Sequence, residues 1–158
     1  MKCEGFMLVV KDMETSKRFY QEVLKLSIWQ DLEVYVVWEG FSLMSEAHWN
    51  GYQPRPGTKY RYENNVCQLY FEDEDIDAFM KHLEGFDLEI ACPLTEYPWG
   101  QRSVRFYDPD RHLVEVGESM KMVIKRFLKS GLSVEETVEK SMFPPQFVLM
   151  CQKELEGN

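Results

Sequence analysis

The first half of the chain alternates short apolar runs with a segment whose apolar residues recur at helical spacing. Phe6–Val10 is an uninterrupted apolar run of strand length. Asp12–Ser16 follows, and its carboxylates and hydroxyls can accept hydrogen bonds from the amides of a first helical turn. A helix is therefore expected up to Leu26. Three further strands are predicted at Ser27–Asp31, Val34–Trp38 and Phe41–Ser45.

The same order of elements returns after residue 65. Val66–Phe71 predicts a strand, and Asp75 opens a helix with apolar residues on one side. Three more strands are predicted at Leu88–Cys92, Ser103–Tyr107 and Leu113–Val116. An offset of 63 residues superimposes the two helix starts. The pattern thus predicts two βαβββ repeats, at about residues 4–64 and 65–118, which together form a first domain over residues 1–118.

A long segment between the repeats, Glu46–Asn64, is rich in Gly, Pro and aromatic residues and is predicted to be a loop. Its aromatic residues are Trp49, Tyr52, Tyr60 and Tyr62. They either cover a binding site or pack against the protein or a second subunit, and the sequence leaves these alternatives open.

Residues 119–158 predict a helical C-terminal extension. Met120–Lys129 is amphipathic, and Ser133 with Glu136 forms the pattern of a capping box that opens a second helix. A third helix is predicted over Phe147–Leu155. The extension is expected to pack on the first domain or on a second subunit.

Composition restricts the possible partners. The 18 basic and 27 acidic residues give a net charge of −9, so nucleic acid is not expected as a partner. In the extension, the segment of a helix-turn-helix that would contact DNA has three Glu and one Lys, which repel phosphate. No apolar run approaches the roughly 18 residues of a membrane span, and the first residues lack a signal-peptide pattern. We therefore expect no membrane association and a cytoplasmic location.

Three segments carry a family resemblance: VVKDMETSKRFYQEVLKL (Val9–Leu26), EDEDIDAFMKHL (Glu72–Leu83) and YPWGQRSVRFYDPDRHLVEVGE (Tyr97–Glu118). They resemble the vicinal oxygen chelate superfamily, which includes glyoxalase I, bleomycin-resistance proteins and extradiol dioxygenases. The Asp108-Pro109-Asp110 turn before a strand that carries Glu is the most specific part. The resemblance implies an α+β fold, in which the repeats form a cup-shaped mixed sheet that binds a small molecule.

The resemblance also implies where a metal would be bound. The family positions correspond here to Gly5, Gln68, Glu115 and the segment Leu43–Ser45. Only Gln68 and Glu115 offer donors, although Glu46 and His48 lie just beyond the first-repeat position. Two donors are few for a catalytic metal. The implied cofactor is a divalent ion, such as Ni, Zn, Mn or Fe, or none.

Strand alternation places a set of polar and aromatic side chains on one face of the second repeat. They are Gln68, Tyr70, Arg105, Tyr107 and Glu115. Arg105 either binds a carboxylate or phosphate of a ligand or pairs with Glu115, and both interpretations stay open. His112 is expected to face away from Glu115, with a role in the turn or in the helix-facing layer rather than in catalysis.

Two functions are compatible with these residues. The first is a metal-dependent enzyme similar to lactoylglutathione lyase. In it, Glu115 is the catalytic base or a metal ligand, Gln68 is a second ligand or an orienting residue, and Arg105 is the anion-binding group. The second is a metal-free protein that binds or senses a drug or metabolite. In both, Gln68, Tyr70, Arg105 and Tyr107 contact the small molecule, and the protein is expected to be a homodimer.

Overall fold

The computed structural model describes residues 1–2, 5–52, 60–62 and 65–157. In this part of the chain the strands are β1 (Phe6–Val10), β2 (Gln30–Asp31), β3 (Tyr35–Trp38), β4 (Phe41–Ser45), β5 (Gln68–Asp73), β6 (Ile90–Glu96), β7 (Arg102–Tyr107) and β8 (Leu113–Glu118). The helices are α1 (Met13–Arg18), α2 (Glu46–Asn50), α3 (Ile76–Leu83), α4 (Met120–Lys129), α5 (Val134–Ser141) and α6 (Pro145–Glu156). Helix α1 continues directly into a π-helical segment, Phe19–Val23.

The contacts divide the chain into two compact units. The first contains Met1–Cys67 and Tyr107–His112, and the second contains Gln68–Phe106 and Leu113–Asn158. Each unit contains a four-stranded mixed sheet with helices. The predicted α+β fold with two βαβββ repeats is therefore confirmed, as are the helices of the C-terminal extension.

The sheet of the first unit has the strand order β1-β4-β3-β2. Strand β1 runs parallel to β4, whereas β3 is antiparallel to both β4 and β2. Val36 lies opposite Leu43, and both side chains are fully buried. On the helix side, Tyr20 contacts the rings of Trp38 and Phe41, with centroids 5.6 and 5.1 Å away. This aromatic cluster lies in the core of the first unit.

The Asp108-Pro109-Asp110 turn is held by a buried carboxylate. Asp108 Oδ1 accepts hydrogen bonds from the backbone amides of Asp110 and His112, at 2.9 and 2.8 Å. Asp108 Oδ2 accepts one from the Tyr20 hydroxyl at 2.9 Å and lies 2.8 Å from His112 Nδ1. Asp108 is 3% exposed, so these hydrogen bonds replace the hydrogen bonds to water that its carboxylate loses on folding.

We expect Tyr20→Phe to lower the free energy of unfolding by about 1–2 kcal/mol, because Asp108 then loses a donor where water has no access. Tyr35→Phe is the control, since the Tyr35 hydroxyl has no hydrogen-bond partner in the described residues and its loss should cost less than about 0.5 kcal/mol. Urea unfolding of both variants measures the difference. Equal losses would contradict the role of the Tyr20 hydroxyl.

The sheet of the second unit has the strand order β5-β8-β7-β6. Strand β5 runs parallel to β8, and its register places Tyr70 opposite Glu115. Strands β6 and β7 are antiparallel, with irregularities around Cys92. Helix α3 packs on this sheet through Phe79, whose ring centroid lies 6.5 Å from that of Phe106.

The C-terminal extension belongs to the second unit. Ser119 caps α4, and the capping box of Ser133 and Glu136 at the start of α5 is present as predicted. Two apolar clusters hold the three helices together. One contains Met120, Val123 and Phe127, and the other contains Ile124, Val148 and Cys151.

The predicted loop at Glu46–Asn64 is wrong at its start. Helix α2 occupies Glu46–Asn50, because the Ser45 hydroxyl accepts a hydrogen bond from the His48 amide and caps the helix. Residues 53–59 and 63–64 of this segment lie outside the described residues. Among the described residues, no helix is long and apolar enough to cross a membrane.

Candidate functional site

Glu115 lies at the centre of a hydrogen-bonded group on the second sheet. Its side chain is 6% exposed. Ser103 Oγ donates to Oε1 at 2.7 Å, while Gln68 Nε2 and Arg105 Nε donate to Oε2 at 2.6 and 2.9 Å. These donors come from β5 and β7, the two strands on either side of β8, so strand alternation alone brings them to one face. Both carboxylate oxygens are therefore engaged.

Arg105 pairs with Glu115 through Nε, and a hydrogen bond with the Tyr97 side chain also helps to raise the pKa of Arg105. Its Nε also donates to Gln68 Oε1 at 3.3 Å. In the described part of the chain, neither terminal nitrogen of Arg105 has a carboxylate or amide oxygen as a hydrogen-bond partner. Burial lowers the pKa of Arg105, but the hydrogen bond and charge of Glu115 outweigh burial and hold the pKa above its usual value. Arg105 is thus a permanent cation with 29% of its side chain exposed.

The turn between β6 and β7 places the ring of Tyr97 near Arg105. The Tyr97 ring centroid lies 5.6 Å from Arg105 Cζ, within the range of a cation–π contact. Tyr97 in turn stacks on Trp99, with centroids 4.7 Å apart and planes 7° apart. A charged planar group and an aromatic face therefore meet at the same position.

Tyr70 lies on the same sheet but does not hydrogen-bond to Glu115. Its hydroxyl donates to Glu72 Oε1 at 2.9 Å and accepts from Gln101 Nε2 at 2.7 Å. Burial and the hydrogen bond to Glu72 raise the pKa of Tyr70 to about 12. The hydroxyl is therefore protonated at neutral pH, and 46% of the residue is exposed.

Tyr107 and His112 belong to the first compact unit. The Tyr107 hydroxyl accepts a hydrogen bond from Asn65 Nδ2 at 2.7 Å, and its ring lies 5.0 Å from Arg111 Cζ. His112 contacts Asp108 in the turn. The structure therefore gives both residues partners other than Gln68, Arg105 and Glu115.

The residues that could hold a metal do not form a suitable donor set. Glu46 accepts a hydrogen bond from Tyr62, and His48 Nε2 lies 3.1 Å from the Tyr52 hydroxyl. In the described ranges, no group of three or more His, Cys, Asp or Glu side chains could hold a metal ion. The Glu115 oxygens already accept bonds from an amide, a hydroxyl and a guanidinium. A divalent ion would have to displace them, so the residues do not fit a tightly bound metal.

Sequence reasoning missed three members of this site. Ser103 lies two residues before Arg105 on β7, so its side chain is on the same face, and this alternation could have identified it as a member of the site. Tyr97 and Gln101 lie in or beside a turn, where no periodicity indicates direction. Gln68, Arg105 and Glu115 were predicted on one face, and the structure brings them into direct contact.

Two four-stranded mixed sheets, each pairing the first and last strands of a βαβββ repeat in parallel, define the glyoxalase fold. Residues 3–121 match the family model of the glyoxalase-like domain. The chain therefore belongs to this family, within the vicinal oxygen chelate superfamily.

Several solved structures share the fold. A protein of unknown function from Agrobacterium tumefaciens is 36% identical, with a TM-score of 0.69 over 75% of this chain and 94% of that chain. A lactoylglutathione lyase from the same species is 21% identical, with a TM-score of 0.55 over 73% and 92%. A fosfomycin resistance protein from Listeria monocytogenes is 20% identical, with a TM-score of 0.56 over 75% and 93%. No curated protein matches the chain.

Proposed function

We propose that this protein binds a small planar molecule with a carboxylate or carbonyl edge, and that it does so without a metal. The observation that carries the proposal is the engagement of both Glu115 oxygens by Ser103, Gln68 and Arg105. Arg105 supplies the positive charge that a buried carboxylate otherwise requires from a cation. Glu115 is thereby a positioning group for Arg105.

The partial exposure of Arg105, 29% of its side chain, supports the choice of ligand. A guanidinium presents parallel N–H groups that match the two oxygens of a carboxylate, and a single carbonyl can accept from one of them. The ring of Tyr97 has Arg105 over it and Trp99 stacked on it, so an aromatic ligand that contacts Arg105 would meet the edge of Tyr97. An edge-to-face contact of this kind favours a planar partner. The half-exposed ring of Tyr70 adds a second apolar surface on the same sheet.

A metal-dependent lyase is the competing hypothesis. It requires Glu115 to ligate a metal or to accept a proton, and the ion pair with Arg105 at 2.9 Å opposes both roles. A general base needs an oxygen that can reach a proton of the substrate, and both Glu115 oxygens already accept hydrogen bonds from the protein. The expected homodimer stays a prediction.

Titration with 2-naphthoate, followed by NMR, tests the proposal. We expect saturable shifts of the Arg105 and Tyr97 signals and a loss of affinity of about tenfold or more in Arg105→Met, because a charge-assisted hydrogen bond is removed. The cation 2-naphthylmethylammonium is the matched probe and should bind more weakly than 2-naphthoate. Equal affinity of wild type and Arg105→Met would contradict the proposal.

Metal titration separates the two hypotheses. One equivalent of Ni, Zn, Mn or Fe should leave the Gln68 and Glu115 signals of the wild type unchanged. Stoichiometric binding that Glu115→Gln abolishes would overturn the metal-free site and favour the enzyme.

A further inference from the structure

Helix α4 contacts the turn that places Tyr97 beside Arg105. The Arg126 guanidinium donates a hydrogen bond to the carbonyl oxygen of Gly100, the last residue of the turn. Gly100 has φ +87°, and a Cβ built there would lie 2.0 Å from Phe127 Cζ. The Phe127 ring therefore occupies the space that any larger residue at position 100 would require. Two consecutive residues of α4 thus hold one residue of the turn.

The same turn is joined to the helix by Trp99. The indole packs against the cluster of Met120, Val123 and Phe127, while its Nε1 donates to Gln101 Oε1 at 3.2 Å. Trp99 also stacks on Tyr97, so the Tyr97 ring of the candidate site packs against an indole that the extension holds in place.

Gln101 extends this connection to Tyr70. Its Nε2 donates to the Tyr70 hydroxyl at 2.7 Å and to the carbonyl oxygen of Glu118 at 2.9 Å. Gln101 is 7% exposed, so its amide depends on these protein partners. Tyr97 thus belongs to the turn, and Tyr70 is connected to it through Gln101, the residue that follows the turn.

A buried ion pair holds Arg126 in place. Glu118, 4% exposed, accepts from Arg126 Nη2 at 3.0 Å and from Arg102 Nε at 3.1 Å. Burial raises the pKa of the Glu118 carboxyl, but the hydrogen bonds from the two arginines outweigh burial and hold the pKa below its usual value. Glu118 is therefore charged at neutral pH and orients Arg126 toward Gly100.

We propose that helix α4 positions the ligand-binding turn, with Arg126 and Phe127 as positioning residues that fix Gly100 and Trp99 and, through them, Tyr97. The ligand readout of this proposal rests on the proposed function. The family model ends at residue 121, before either positioning residue. In this chain, part of the site geometry is therefore held by residues of the C-terminal extension, and these residues lie outside the family match.

Two variants on α4 test the proposal. Arg126→Met removes the bond to Gly100 from a side chain that is 35% exposed, so the fold should persist. Phe127→Leu keeps an apolar residue but removes the ring at Gly100. In both, we expect the Trp99 indole N–H signal, assigned by its loss in Trp99→Phe, to shift and to exchange with deuterium about tenfold faster. The affinity for 2-naphthoate should fall about three- to tenfold in Arg126→Met, as loss of one hydrogen bond in the support of the turn predicts. In Phe127→Leu it should fall as well, because the turn loses its packing partner.

Val148→Ala is the matched control. Val148 is fully buried in the second apolar cluster of the extension, which does not include Trp99. The variant should lower the melting temperature while leaving Trp99 exchange and 2-naphthoate affinity unchanged. Unchanged Trp99 exchange in both α4 variants, or equal acceleration in Val148→Ala, would overturn the positioning role. Failure of the wild type to bind 2-naphthoate would reject the proposed function, whereas Trp99 exchange would still decide the role of α4.

Discussion

Gly100→Ala is expected to lower the free energy of unfolding by about 2–5 kcal/mol. A left-handed backbone costs an L residue roughly 1–2 kcal/mol, and Gly100 has φ +87°. The added methyl would also lie 2.0 Å from Phe127 Cζ, and forcing a packed neighbour to move costs about 1–3 kcal/mol more. Urea unfolding at constant pH measures the loss.

Gly131→Ala provides the matched control for backbone strain. Gly131 has φ +95°, and a Cβ there would have nothing within 4 Å. Its substitution should therefore cost only the backbone part, about 1–2 kcal/mol. The double variant Gly100→Ala/Phe127→Ala should lose less than the sum of its two single variants, since the smaller side chain admits the methyl. Equal losses at Gly100 and Gly131 would show that the Phe127 ring moves away at no cost.

Arg105→Met is expected to lower the free energy of unfolding by about 2–3 kcal/mol. Breaking a fully buried ion pair costs about 3–5 kcal/mol, and the partial exposure of Arg105 reduces that figure. The Glu115 carboxylate would keep its bonds from Ser103 and Gln68 but lose the only cation hydrogen-bonded to it in the described residues. Thermal and urea unfolding together measure the loss.

A double-mutant cycle identifies the source of this loss. Arg105→Met/Glu115→Gln should be more stable than Arg105→Met alone, because the buried charge is removed with its partner. Lys121→Met removes an ion pair to Glu154 whose side chains are 36% and 38% exposed, and it should cost much less than Arg105→Met because solvent screens both charges. If Lys121→Met lowered the free energy of unfolding as much as Arg105→Met, the burial of Glu115 would not be the cause of the Arg105→Met loss.

The sequence predicted those parts of the fold that depend on local patterns. Phe6–Val10, Phe41–Ser45 and Met120–Lys129 have the observed boundaries, because each is an apolar run or an amphipathic stretch with a clear start. Helix α2 was missed because its five residues carry too short a pattern, and the Ser45 cap was assigned to the end of a strand. The second predicted strand shrinks to Gln30–Asp31, since only these residues pair with β3 in the described sheet.

The part of the candidate site that lies on strands was also predictable from a local pattern. Parity along a strand placed Gln68, Arg105 and Glu115 on one face, and neighbouring strands then brought them together. Parity gives no information about a turn, so the position of Tyr97 beside Arg105 was not predictable. The contact between Gly100 and Phe127 joins residues with no periodic relation, and only the folded chain reveals it.

The close approach of Phe127 to Gly100 also has an evolutionary consequence. In a relative without helix α4, the residue equivalent to Gly100 needs only to tolerate a left-handed backbone, and Asn or Asp can do so. Once the helix is present with Phe at position 127, a side chain at position 100 clashes with the Phe127 ring. Homologues that have the extension should therefore also have glycine at position 100. A homologue that has the helix but lacks this glycine should have a smaller residue at position 127.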